Sequence, residues 1–119
     1  MFDKLKKLFS DPEGHVDDGV YTEYDASVVH KYKEEFPDLA IDEVVVPDVP
    51  SLTNIRVKRW YKNDADAVRK GERLCELDAG KMTLELETYV DGYLYFRVRP
   101  GRTVSVGQVL CVILSKQPE

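Results

Sequence analysis

From Glu43 onward apolar residues recur at every second position, the period of a strand with one face turned inward. Ile55 and Val57 alternate with Asn54, Arg56 and Lys58, and Cys75 and Leu77 precede a turn that Leu84 and Leu86 follow. Tyr93 to Val98 reads as an aromatic-rich strand, and Val109 to Leu114 as an almost continuous apolar one, which predicts a central position or burial on both faces. Asn63-Asp64-Ala65-Asp66 and Arg99-Pro100-Gly101-Arg102 are turn sequences between these runs. Before Glu43 the pattern is helical. Asp25 or Ser27 can cap a helix through about Phe36, with Val28, Val29, Tyr32 and Phe36 as its apolar stripe and Pro37 after its end. That stripe is expected to pack on the β domain of the same chain, with a separate docking role as the alternative. Residues 11 to 24, with Pro12, two glycines and five acids, read as loop. Phe2, Leu5, Leu8 and Phe9 share one helical face opposite Lys4, Lys6 and Lys7. This short segment reads as a frayed end or a helix packed on its own domain, ahead of partner docking or membrane contact.

The β region contains a repeat. Val68-Arg69-Lys70-Gly71-Glu72-Arg73-Leu74-Cys75-Glu76-Leu77 recurs 36 residues later as Val104-Ser105-Val106-Gly107-Gln108-Val109-Leu110-Cys111-Val112-Ile113, a register that sets Trp60 against Phe96. Two similar units therefore flank Asp78-Ala79-Gly80-Lys81-Met82. Glycine at the first central position of a two-residue turn suits a type II′ hairpin, since it accepts the positive φ required there. Lys81 is then presented at the exposed tip. The expected fold is all-β: a flattened barrel or sandwich of two antiparallel sheets with internal two-fold pseudosymmetry, preceded by an extension holding one or two short helices.

Charge separates the extension from the rest. Residues 1 to 42 carry eleven acids and five lysines, net −6, whereas residues 43 to 119 carry eleven acids and twelve bases, net +1. An acidic arm on a near-neutral domain is the natural division, with 1–42 as extension, 43–115 as the β domain and 116–119 as a tail. Arg97, Arg99 and Arg102, with Arg56, Lys58 and Arg59, form basic strand edges that read as a solvated face or a docking surface for a partner enzyme. The overall charge of −5 and the absence of an RNA-binding aromatic motif argue against nucleic acid. No apolar run is long enough to span a bilayer and no signal-peptide pattern is evident, so the expected compartment is the cytoplasm. Cys75 and Cys111 hold matched repeat positions without CxxC spacing and read as small apolar residues on inward faces, a disulfide remaining open. Neither a nucleophile–base pair, a phosphate loop nor a metal-ligand cluster stands out, so the chain reads as a non-catalytic module.

Over about residues 43 to 115 the chain resembles the biotinyl/lipoyl attachment domains. The resemblance rests on Val44-Val45-Val46-Pro47-Asp48-Val49, the spacing from Val68 through Gly71 to Lys81, Val90-Asp91-Gly92, Pro100-Gly101-Arg102-Thr103-Val104 and Gly107-Gln108-Val109-Leu110. Family members often carry glycine before the aspartate of the first-half turn. Ala65 stands there in this chain, so a departure from the usual turn geometry is expected.

The resemblance implies that Lys81 is an anchor: a ligase brings the cofactor as an activated adenylate and the lysine amine forms an amide bond. Asp78, Gly80 and Met82 become the neighbours that a ligase reads. Tethering turns an encounter between cofactor and successive active sites into a local one. Biotinyl domains read Glu-Ala-Met-Lys-Met around the lysine, and Asp78, Ala79, Lys81 and Met82 keep most of that pattern. Lipoyl domains read Glu-Thr-Asp-Lys-Ala, of which the acid and the lysine survive, but the Val-Pro-Asp opening, Trp60 and Thr83-Leu84-Glu85-Leu86 look more like the lipoyl branch. Lipoate is the preferred cofactor and biotin the alternative. The implied partners are the corresponding ligase and either 2-oxo acid dehydrogenase-type or biotin-dependent carboxylase-type subunits. A third reading keeps the barrel as an unmodified binding module, favoured by Gly80, which neither motif contains.

Overall fold

The computed structural model describes residues 17–50 and 53–118, so the expected end helix at Phe2 to Phe9 lies outside the described residues. Among the described residues one helix, α1 (Ala26–Glu35), precedes seven strands: β1 (Ile41–Val45), β2 (Ile55–Trp60), β3 (Ala67–Val68), β4 (Arg73–Ala79), β5 (Met82–Glu87), β6 (Gly92–Tyr95) and β7 (Val109–Leu114). They form two antiparallel sheets, one in the order β1-β7-β6-β3 and the other β2-β4-β5. A single bridge between Arg56 and Thr103 adds a fourth member beside β2. Each sheet then has the same succession of equivalent segments, as a pseudo-two-fold requires.

The halves match in their hydrogen bonds, with one shift. The turn bond from Asp66 N–H to Asn63 O (3.1 Å) recurs 36 residues on as Arg102 N–H to Arg99 O (3.2 Å). Tyr61 N–H donates to Leu74 O (2.8 Å), and its counterpart is Val98 N–H to Leu110 O (3.1 Å), an offset of 37 for the donor and 36 for the acceptor. Likewise Val57 N–H to Arg102 O (3.1 Å) matches Leu94 N–H to Asp66 O (3.0 Å). The residue equivalent to Trp60 is therefore Arg97, not Phe96. The slip falls between Tyr61 and Asn63, where Lys62 is an extra residue that the second half, running from Val98 directly to Arg99, lacks. Left-handed Phe96 (φ 65°) ends β6 at Tyr95 rather than at Val98 as the aromatic run implied.

Between the sheets lies one core, with Val57, Trp60, Leu74, Cys75, Leu77, Leu94, Leu110, Cys111 and Ile113 all essentially inaccessible. Both cysteines are free thiols inside it. A smaller cluster forms outside the four-stranded sheet. There Leu39, Phe96, Val112 and Leu114 meet Val28, Val29, Tyr32 and Phe36 of the helical segment. The stripe thus packs on its own domain. A ten-residue helix is too short to persist alone, and its stability comes from this contact, where fully buried Leu39 and Leu114 are each worth about 1.5–3 kcal/mol of transfer from water. Asp25 caps α1: its Oδ1 accepts from Ser27 Oγ (2.6 Å) and Ser27 N–H (2.9 Å), bonds that hold its carboxyl below the usual range.

The helix explains why β7 is apolar on both faces while its counterpart β4 alternates. Val112 and Leu114 lie under α1, whereas Glu76 and Asp78 of β4 face outward on an uncovered sheet. After β5 the chain crosses to the other sheet at Gly92. A Cβ built there would sit 2.5 Å from Leu114 O, so only glycine permits this approach. Ala40 N–H donates to Ser115 Oγ (2.9 Å) and Ser115 N–H to Ala40 O (3.0 Å), beside the same corner. The β unit is consequently entered and left at the end away from the β4–β5 turn.

Candidate functional site

The β4–β5 hairpin is closed by Gly80 and Lys81, with Ala79 paired to Met82 and Asp78 to Thr83. Gly80 has φ 66°, whereas Lys81 is absent from the positive-φ residues, the combination of a type II′ turn. Exposure grows along the inward-facing side toward the tip: Leu77 is fully buried, Ala79 4% exposed and Met82 52% exposed. The hairpin therefore projects beyond the core, and Lys81 stands at its exposed end. Asp78 is half-buried on the outer face, in register with Arg56 of β2 and Thr83 of β5. No hydrogen bond or ion pair engages the Lys81 amine among the described residues. Around Gly80 a Cβ would meet nothing within 4 Å, so the space beside the lysine is open.

Below the tip, the outer face is stiffened by paired charges. Arg59 Nε lies 3.1 Å from Glu76 Oε1 and Arg73 Nη1 lies 2.8 Å from Glu85 Oε2. Tyr61 sits between them, its hydroxyl 3.5 Å from Glu76 and 3.4 Å from Glu85, with the Arg73 guanidinium 4.5 Å above its ring. These pairs hold β2, β4 and β5 together across the outer face and leave the tip itself free.

Elsewhere the candidates for chemistry are committed to structure. Burial pushes the Cys75 thiol up to about 12 and Cys111 well above its ordinary value, so neither is a nucleophile at neutral pH. His30 is exposed on α1, 3.4 Å from Glu34. Among the described residues no group of histidines, cysteines and acids is placed to hold a metal. No helix among them is long and apolar enough to cross a membrane.

The family described as "Biotin-requiring enzyme", biotinyl and lipoyl domains together, matches residues 42–113. The chain belongs to the biotinyl/lipoyl attachment family. It is 30% identical over 80 residues, 65% of its length, to the dihydrolipoyllysine-residue acetyltransferase component 3 of the mitochondrial pyruvate dehydrogenase complex of Arabidopsis thaliana, and covers 15% of that protein. It is 36% identical over 70 residues to the dihydrolipoyllysine-residue succinyltransferase component of the 2-oxoglutarate dehydrogenase complex of Escherichia coli, covering 57% of this chain and 17% of the relative. A Caenorhabditis elegans acetyltransferase component of the pyruvate dehydrogenase complex is 31% identical over 72 residues, 59% of this chain and 14% of the relative. The chain thus spans about one sixth of the length of these relatives. Membership supports a cofactor-carrier role, with lipoate or biotin as the class of group carried.

The biotinyl/lipoyl domain holds one feature that sequence reasoning missed. Arg97, expected on a solvated edge, is completely buried. Its Nε lies 3.0 Å from Asp64 Oδ1, its Nη1 3.2 Å from Lys62 O, and its Nη2 2.9 Å from Asp18 Oδ1 and in close contact with Val20 O. The Tyr21 ring lies 4.3 Å from the guanidinium, and Asp17 is 3.6 Å away. Residues 17–21 are in this way strapped to the domain by one arginine. Burial disfavours the charged guanidinium, but Asp18 and Asp64 outweigh it and hold its pKa above the usual value. The one available sequence signal was the two-fold itself, in which a one-residue shift sets Arg97 opposite the buried Trp60.

Proposed function

We propose that Lys81 is the covalent attachment point for lipoate and that the domain carries acyl-type intermediates between subunits of a 2-oxo acid dehydrogenase-type assembly. The observation that carries this reading is the exposed amine of Lys81, unpaired among the described residues, on a tight turn that projects from a rigid sandwich. The residues fit the group: an amide to the lysine amine needs reach and open space, and both are present at Gly80 and Lys81. The relatives named above support lipoate over biotin, since each is named for a dihydrolipoyllysine residue.

When bound, lipoate supplies a dithiolane that accepts and releases acyl groups. This chain's residues supply position. Gly80 sets the turn, Asp78 and Met82 flank the amine as surfaces for the ligase, and the ion-paired face below the tip keeps the hairpin from folding back onto the domain. The rigid base leaves motion to the lysine side chain and its arm, which sets the effective concentration at partner sites.

A biotinyl group on the same lysine is the second reading, favoured by Ala79 before the turn and by exposed Met82 directly after Lys81. The test is the intact mass of the protein isolated from its native cell, with peptide mapping around Lys81. A lipoyl increment on that residue supports the proposal, a biotinyl increment selects the second reading, and an unmodified mass beside fully modified carriers of the same cell rejects both.

A further inference from the structure

Between the strapped extension and the second-half turn lies a cleft of about 500 Å³, within the range that accommodates small organic ligands. Tyr21 and Tyr24 of the extension form one side of it, and Val98 and Val109 give the β domain's side an apolar surface. Its polar groups fall into two sets. Arg97, Tyr21 and Tyr24 are committed: the Arg97 nitrogens to Asp64, Asp18 and main-chain carbonyls, the Tyr21 hydroxyl to Asp17, and the Tyr24 hydroxyl to Glu43 at 2.8 Å.

Arg99, Arg102 and Gln108 are not. Arg99 is exposed and has no carboxylate partner among the described residues, its guanidinium standing 5.9 Å from the Tyr21 ring centre. Arg102 makes one pair, 2.8 Å to Glu23, with the side chains 57% and 79% exposed, an ion pair that water and a competing anion weaken readily. Gln108 uses its Oε1 to accept from Ser105 N–H at 3.1 Å, which leaves its amide hydrogens directed elsewhere without a partner among the described residues. Glu23, the partner of Arg102, is the one carboxylate that lines the cleft, and at 79% exposure it is free to turn into solvent, which leaves two guanidinium groups and an amide as the donors there.

We propose that this cleft binds a small organic anion, a carboxylate or phosphate borne on an apolar or aromatic body. Arg99 and Arg102 grip the anionic end with planar donor forks matched to two oxygens, and Gln108 adds an amide donor. The body lies between the tyrosine rings and the valines, and the two guanidinium groups, against the single Glu23 carboxylate, favour an anion over a cation. Because one side of the cleft belongs to the extension, ligand binding also favours the strapped state by mass action. The site is independent of Lys81.

The test uses the full chain without modification, ¹⁵N-labelled and titrated with phenyl phosphate, benzoate and inorganic phosphate in separate arms. Saturable amide shifts confined to residues 21–24, 97–102 and 108–109 are expected, and R99Q weakens binding by about tenfold, the scale of one lost charge-assisted hydrogen bond, without moving resonances elsewhere. R102Q is a second variant with the same expectation. Saturation by phenyl phosphate alone assigns a phosphate ligand and by benzoate alone a carboxylate, whereas inorganic phosphate binding as tightly as phenyl phosphate overturns the role of the apolar walls. Shifts that never saturate, that persist in both arginine variants, or that weaken equally in R56Q on the other sheet overturn the proposal.

Discussion

Trp60 and Arg97 fill equivalent places in the two halves of the β unit, and each reaches across to a main-chain carbonyl of the other half. Trp60 Nε1 donates to Val98 O at 2.7 Å, and Arg97 Nη1 to Lys62 O at 3.2 Å. Both side chains are inaccessible. In the first half the aromatic ring fills its space with core contacts. In the second half a cation fills the matching space, and the compensating charges come from Asp64 and from the extension. The substitution of an arginine for an aromatic residue is what fastens residues 17–21 to the domain.

Breaking that clamp from one side should cost more than removing it whole. Arg97→Leu leaves Asp64 and Asp18 without their cation and should lower stability by about 2–4 kcal/mol, read from urea unfolding. The double variant R97L/D64L should recover at least half of the loss, because a paired charge and its apolar replacement are closer in energy than a lone buried charge. Deleting residues 1–24 removes Asp18, Val20 and Tyr21 together and should also lower the unfolding midpoint. An unchanged midpoint after deletion would show that the strap adds nothing to the domain.

The first-half turn stores a small strain. Ala65 has φ 69°, close to φ 89° at Gly101, its equivalent 36 residues later. The expected departure in turn geometry does not occur; alanine is forced into the glycine conformation because Ala65 N–H must reach Leu94 O (2.7 Å), as Gly101 N–H reaches Val57 O (2.7 Å). Ala65→Gly should therefore raise stability by about 0.5–1 kcal/mol, the relief of left-handed strain less the extra unfolded-chain entropy. A lower denaturation midpoint would contradict this account of the turn.

Tip variants should separate conformation from chemistry. Gly80→Val forces a β-branched residue to positive φ and should cost about 1–2 kcal/mol, although the space around it is open. Lys81→Ala should leave stability within about 0.5 kcal/mol of the parent and abolish modification by lipoate ligase, measured by intact mass. A large fall in melting temperature for Lys81→Ala would make the lysine structural.

Alkaline pH should loosen the fold. The Cys75 thiol and the Tyr21 hydroxyl are both pushed up to about 12, in each case first by burial. Their folded values lie above the unfolded ones, roughly 8.5 and 10, so the stability they contribute is complete below about pH 8.5 and is lost as pH rises toward 12. Urea midpoints measured from pH 8 to 11 should fall steadily. At pH 8 neither cysteine of the native chain should react with a thiol reagent in the time that the urea-unfolded chain reacts fully.

Much of this protein follows from local rules written in one dimension. Alternating residues on β2, β4 and β5, the 36-residue repeat, the Gly80-Lys81 turn, the Asp25 cap and the position of Lys81 are all set by periodicities or backbone preferences that need no knowledge of the fold. What tertiary structure alone decided is how the halves differ. One extra residue, Lys62, between Tyr61 and Asn63 sets Val57 and Tyr61 37 rather than 36 positions from Leu94 and Val98, a displacement invisible to a pattern of fixed spacing. That shift turns Arg97 from an edge charge into a buried clamp, because burial of a cation depends on acids brought from 33 and 79 positions away. The helix likewise settles on the four-stranded sheet because Val112 and Leu114 present an apolar outer face there, and it leaves the charged face of the sheet that carries Lys81 uncovered.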